Sequence, residues 1–279
     1  MSGLVALFRK QLTESRWLLV LSCAALFLLS WFSVYRTSGI EARMSGGEES
    51  RPGMGTAIFF ARVGGPDMDM SSIALETTVL YILLFGLPLI LTTIWSISRG
   101  TAAVAGDLER GSMDLILSRP VARSTYLSAQ LLVALFGLAL LAAAIVGGNL
   151  FGHQLHVVET PPAVIQVARP AANLAMIGVA ILGYCTLLSS IDIVRWRPML
   201  FGSVLTLAQF VTFAVANQPD WDEYEWLNRA SVFSAFYPIE SAVKGEKLAY
   251  NSMVLGGIGL GTLALSYLGF AYRDLPANS

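Results

Sequence analysis

The sequence predicts an all-α, polytopic membrane protein with six transmembrane helices. Hydrophobic residues make up 55% of the 279 and charged residues only 13%, with a mean hydropathy of +0.63, too apolar for a soluble domain of this size. Six uncharged runs exceed 18 residues, at 17–35, 77–98, 124–152, 170–191, 198–219 and 248–272. Crossing a hydrocarbon core takes roughly 20 helical residues. Apolar residues cover every face of these runs, as in "LLVALFGLALLAAAIVGG", without the alternation of a barrel strand. Because an unpaired backbone amide in lipid costs several kcal/mol, such runs satisfy their own hydrogen bonds as helices. The whole chain, 1–279, reads as one membrane domain.

Residues 1–16 place Leu4, Val5, Leu7, Phe8 and Leu12 among Arg9, Lys10, Glu14 and Arg16. That pattern suits an amphipathic helix lying on the membrane surface before the first span. At 19 residues the first run is too long for a signal peptide, and no small-x-small cleavage site follows it. "VLSC" at 20–23 loosely resembles a lipoprotein cleavage box, but the uncharged residues that continue past Cys23 argue against processing. Cys23 and Cys185 both lie in apolar runs and read as small core residues rather than a disulfide.

The loop 36–76 is rich in glycine, serine and acids and carries Met44, Met54, Met68 and Met70. In the second span, Gly86 and Pro88 offer a kink that could serve as a hinge or simply improve packing. His153 and His156 follow the third span at metal-like spacing. Thioether sulfur suits Cu(I) and imidazole several transition metals, so Met68, Met70, His153 and His156 are weak metal candidates in an incomplete site. Glu76 and Asp192 sit at span ends, where a charge usually anchors a helix. Residues 218–247 form two short amphipathic pieces about Pro238, a re-entrant or interfacial hairpin with Trp221, Tyr224 and Trp226 at headgroup level. Within "GGIGLG" of the last span, Gly257 and Gly261 make a small-xxx-small pair, a helix-packing signal.

An even number of crossings puts both termini on one side, and lysine and arginine choose which. With the termini cytoplasmic, the short inner segments hold ten of the 18 basic residues and the much longer outer segments the other eight. Basic density therefore favours cytoplasmic termini, and most of the acids fall outside.

The inner segment 99–123 is unusually ionic, with Asp107, Glu109, Arg110, Asp114, Arg119 and Arg123. Ser112 can cap a short helix with Asp114 in its first turn, Met113, Ile116 and Leu117 fall on one side, and Pro120 stops it. From these residues alone it is either a docking helix or a solvated connector.

The run "AVAGDLERGSMDLILSRPVARSTYLSAQLL" resembles the signature of type-2 ABC transporter permeases, including those of the copper-enzyme-maturation type. Asp107, Glu109, Gly111, Ser112, Asp114, Leu115, Leu117, Pro120, Val121 and Arg123 occupy the positions that carry the pattern. "LFRKQLTESRW" resembles the family's elbow helix and "AYRDL" its short tail, while Gln130 stands where the family commonly has a lysine. The resemblance implies that Asp107, Glu109, Arg110, Gly111, Ser112, Met113, Asp114, Ile116, Leu117, Pro120 and Arg123 form or flank a coupling helix seated in an ATPase subunit. This chain has no G-x-x-x-x-G-K-[ST] loop, so it is expected to hold no cofactor and to have no catalytic activity, with ATP and Mg bound by the partner. The other expected partners are the lipid bilayer, a second permease copy or a paralogue, and an extracytoplasmic protein at the outer loops; no nucleic acid is expected. The implied role is an exporter permease of the cell inner membrane, in which closure of the ATPases moves residues 106–123 as a lever and tilts spans one, two and five, moving substrate or transmitting force.

Two other classes compete. An ion-coupled secondary transporter would place ionisable groups near the midplane, and the six runs contain none. An intramembrane hydrolase would need a nucleophile and a base at matched depth, yet both histidines lie in one loop.

Overall fold

A computed structural model describes residues 2–45, 86–111, 122–156, 161–216, 226, 231–236 and 248–272. Among them every regular element is helical. In chain order these are α1 (Ser2–Ser45), α2 (Leu87–Thr101), a π-turn (Ala102–Gly106), α3 (Asp107–Glu109), α4 (Arg123–Leu155), α5 (Val164–Ile191), α6 (Trp196–Ala216), a 3-10 turn (Val232–Ala235) and α7 (Leu248–Tyr272). Six helices, with α2 through α3 counted as one, are long and apolar enough to cross a membrane.

Helix ends differ from the edges of the uncharged runs, because a charge marks where a span leaves lipid rather than where its helix stops. The predicted surface helix of residues 1–16 is no separate element. It is the start of α1, which runs unbroken from Ser2 to Ser45, since no glycine or proline between Gly3 and Gly39 interrupts it. Gly86 adopts a left-handed conformation (φ 62°) and caps α2, with Pro88 in the first turn, where a missing N–H costs nothing. The pair therefore starts α2, and the preceding part of the predicted span, 77–85, lies outside the described residues.

At the core, α5 packs against α2, α4, α6 and α7, while α1 lies chiefly along α4. The α1–α4 contact is built from small residues. Ser30 Oγ donates to Ile145 O at 2.6 Å, and a Cβ added to Gly148 would stand 2.3 Å from Phe27 O, so the two backbones touch. Without a hydrophobic driving force between helices in lipid, such close approach is what makes association favourable. Trp95, fully buried, lies over Gly137 and donates Nε1–H to Ala134 O at 2.9 Å.

The predicted pair Gly257 and Gly261 does not serve this purpose within the chain: a Cβ at either would meet nothing within 4 Å. On α7 the packing glycine is Gly259, whose added Cβ would meet Val179 of α5 at 2.7 Å. Small-xxx-small spacing carries no information about which face meets a neighbour. On α6, Met199, Leu200, Phe201, Val204, Leu207 and Val211 are likewise exposed, and they are apolar.

Of the hairpin predicted before the sixth span, the structure describes Trp226, which is exposed, and the 3-10 turn. Asn173 and Asn251 both donate to Ala235 O at 3.2 Å, so the turn is pinned between α5 and α7. The remainder of the hairpin, with Trp221, Tyr224 and Pro238, lies outside the described residues.

Candidate functional site

The start of α1, the ends of α2 and α3, the start of α4 and the end of α7 share one end of the bundle. Arg123, first residue of α4, reaches the carbonyls of Phe270 and Ala271 at 3.4 Å each, a favourable place for a cation at a helix C-terminus. The N-terminus of α1 and the C-terminus of α7 thus lie on the same side, as an even number of crossings requires.

Just before the ionic segment the α-helix gives way to the π-turn. An extra residue in the turn displaces backbone groups from the α-helical ladder, and one hydroxyl of α5 receives them. Ser189 Oγ accepts from Val104 N–H at 3.2 Å and Ala105 N–H at 3.0 Å, and donates to Thr101 O at 2.9 Å.

Beyond the turn, Asp107 is only 3% exposed. Its Oδ2 accepts from the Tyr126 hydroxyl, from Gln130 Nε2 at 3.3 Å and from Gln11 Nε2 at 3.3 Å. The oxygens of those two amides accept from Arg99 Nη2, at 3.0 Å for Gln130 and 3.1 Å for Gln11. Arginine only donates and an ionised aspartate only accepts, so each glutamine must turn its oxygen to Arg99 and its nitrogen to Asp107. The closed ring joins α1, α2, α3 and α4. It also gives Gln130 a role that a lysine could not fill, because an ammonium has no acceptor for Arg99 and would add a second buried cation.

Outward from Asp107 the residues become exposed. Glu109 Oε2 accepts from the backbone N–H of Arg195 at 3.0 Å, and Arg110 pairs with Glu14 of α1 at 3.7 Å. Gly111, with φ +67°, closes the turn through its N–H to Leu108 O at 3.0 Å, a conformation that favours glycine. Arg195, in the short α5–α6 connection, donates from Nη2 to Ser98 O at 3.4 Å. Burial first, then repulsion from Arg110, lowers its pKa from the ordinary value, against an opposing pull from Glu109.

A cavity of about 240 Å³ opens beside the ring, between α1, α2 and the α5–α6 connection. Arg99, Arg110 and Arg195 line it together with Gln11, Glu14 and Asp107.

Of the predicted coupling residues, Asp107, Glu109, Arg110, Gly111 and Arg123 are therefore gathered at this end. Ser112, Met113, Asp114, Leu115, Ile116, Leu117, Pro120 and Val121 lie outside the described residues, as do Met68 and Met70. His153 and His156 end α4 at the opposite side of the bundle, where the His156 ring stacks on Trp31 at 6.3 Å and meets Tyr35 edge-on at 5.2 Å. Among the described residues no three potential metal ligands of the histidine, cysteine and carboxylate kinds come together. Sequence reasoning missed Arg99, Gln11, Tyr126, Ser189 and Arg195. The available signal was a glutamine, Gln130, inside an otherwise apolar run, since a polar amide there needs a buried partner.

Comparisons with family models, with curated proteins and with solved structures find no match to this chain.

Proposed function

We propose that the chain is the membrane permease subunit of an ATP-driven transporter of the type-2 ABC kind, an exporter with no catalytic activity of its own. Residues 106–123 dock on a separate ATP-binding subunit at the cytoplasmic face of the cell membrane. The observation that carries this reading is the build of residues 106–111. Glu109, Arg110 and Gly111 are exposed, while Asp107 next to them is locked to α1 and α4 by three hydrogen bonds. A lever needs this combination of an accessible tip and a root that cannot slip. The π-turn behind the root is held to α5 by Ser189, so a push on the tip is passed to the α2–α5 contact.

The test is co-purification. In a mild detergent the wild-type chain is expected to recover an ATPase chain, and the Glu109→Ala, Asp114→Ala double variant to recover at least about tenfold less, the loss of one or two charge-assisted contacts. Equal recovery from a folded variant would remove docking from the account.

One observation favours the alternative of an ion-coupled secondary transporter: Arg99 and Asp107 are buried in a helix long enough to cross a membrane. Their place at the end of the bundle rather than its middle weighs against it. Proton-driven uptake by liposomes containing this chain alone would support that alternative over the permease reading.

A further inference from the structure

We infer that the cavity between α1, α2 and the α5–α6 connection is a binding site for a phosphate-type anion, the chemistry shared by an anionic lipid headgroup and a free phosphate ester. The inference does not depend on the transporter reading.

Its first ground is Arg99. The residue is 7% exposed and lines the cavity. Its hydrogen bonds go only to the neutral amide oxygens of Gln11 and Gln130, and its Nε–H has no acceptor. Among the described residues no carboxylate lies within ion-pair distance of it. Glu14 and Asp107 attract it from beyond that distance, Asp107 through the two amides, so its charge borders an open space with no carboxylate in contact.

Its second ground is convergence. Arg110 and Arg195 reach the same cavity from two other elements, and Arg195 Nε is likewise buried without an acceptor. The two carboxylates on the wall are already engaged. Asp107 takes three donors, and Glu14 is shared between Lys10 and Arg110 at 3.7 Å each. On the wall itself three guanidiniums face two carboxylates, with Glu109 holding the backbone N–H of Arg195 from outside it, so the lining favours an anion over a cation. Guanidinium forks match phosphate oxygens in pairs, and about 240 Å³ accommodates a phosphate with part of its ester. The cavity also lies at one end of a bundle of helices long and apolar enough to cross a membrane, so a lipid headgroup is one candidate source.

The experiment uses the full chain in phosphatidylcholine nanodiscs, read by thermal unfolding and by native mass spectrometry. In one arm phosphatidylglycerol is included in the bilayer; in the other, inorganic phosphate or glycerol phosphate is titrated against chloride at equal ionic strength. In at least one arm the wild type is expected to bind one anion per chain saturably and to melt at a higher temperature. The responding arm identifies the source. Arg99→Gln is expected to weaken that binding about tenfold or more, from the loss of a charged hydrogen-bond donor. Arg195→Gln, at a less buried position, is expected to do the same and keeps the test sound if the first variant folds poorly. Absence of saturable binding in both arms, or wild-type affinity in both variants, overturns the site.

Discussion

Asp107→Ala is expected to lower unfolding stability by about 3–5 kcal/mol, the range for removing one member of a buried charged network. The substitution strips Tyr126, Gln130 and Gln11 of their shared acceptor. It also leaves Arg99, already without an ion pair, facing two amides that no longer have an anion behind them. Removing the cation alone is milder, since Asp107 keeps its three donors. The double variant Arg99→Met, Asp107→Leu is accordingly expected to recover most of the loss. Unfolding in a fixed detergent, read by loss of near-ultraviolet dichroism for the wild type, both single variants and the double variant, measures each term. A single Asp107→Ala loss below about 0.5 kcal/mol, the size of an ordinary surface substitution, would mean that the ring contributes nothing.

The second large effect is expected at Gly148. A Cβ there falls 2.3 Å from the carbonyl oxygen of Phe27 and 3.0 Å from its Cα, both backbone atoms. Neither can rotate away, so Gly148→Ala must push α1 off α4. The cost is about 1–3 kcal/mol, against a gain of up to about 1 kcal/mol from the better helix propensity of alanine. At Gly257 the same change meets open space and keeps only the gain. The two variants, melted side by side, are therefore expected to shift in opposite directions. Destabilisation of the isolated chain by Gly257→Ala, with Gly148→Ala neutral, would reverse the packing assignment.

These two residues show where the sequence was informative. Six long uncharged stretches cannot be anything but buried or membrane-crossing helices, so the class of fold was readable from the positions of charges alone. Which face of each helix meets a neighbour was not. Gly148 and Gly152 have the same spacing as Gly257 and Gly261, and only the packed structure distinguishes the pair under α1 from the pair facing outward. The polar end was half legible. Asp107, Glu109 and Arg110 stand out as an ionic cluster, but Arg99 only marks where the second span ends and the inner segment 99–123 begins. Nothing in the sequence singles out Gln11 or Tyr126. Their association requires α1, α2 and α4 to converge at one depth, a tertiary fact with no local signature. The π-turn is equally silent in "AAVAG", because its stabilising hydroxyl comes from Ser189, in another helix.

The central claim is that the exposed tip at Glu109–Gly111 grips an ATP-hydrolysing chain. A photo-crosslinking residue in place of Arg110, activated in native membranes and followed by mass spectrometry of the adduct, tests it most directly. The account predicts a single major adduct to a protein carrying a G-x-x-x-x-G-K-[ST] loop. An abundant adduct to lipid alone, or to a protein without such a loop, would contradict it.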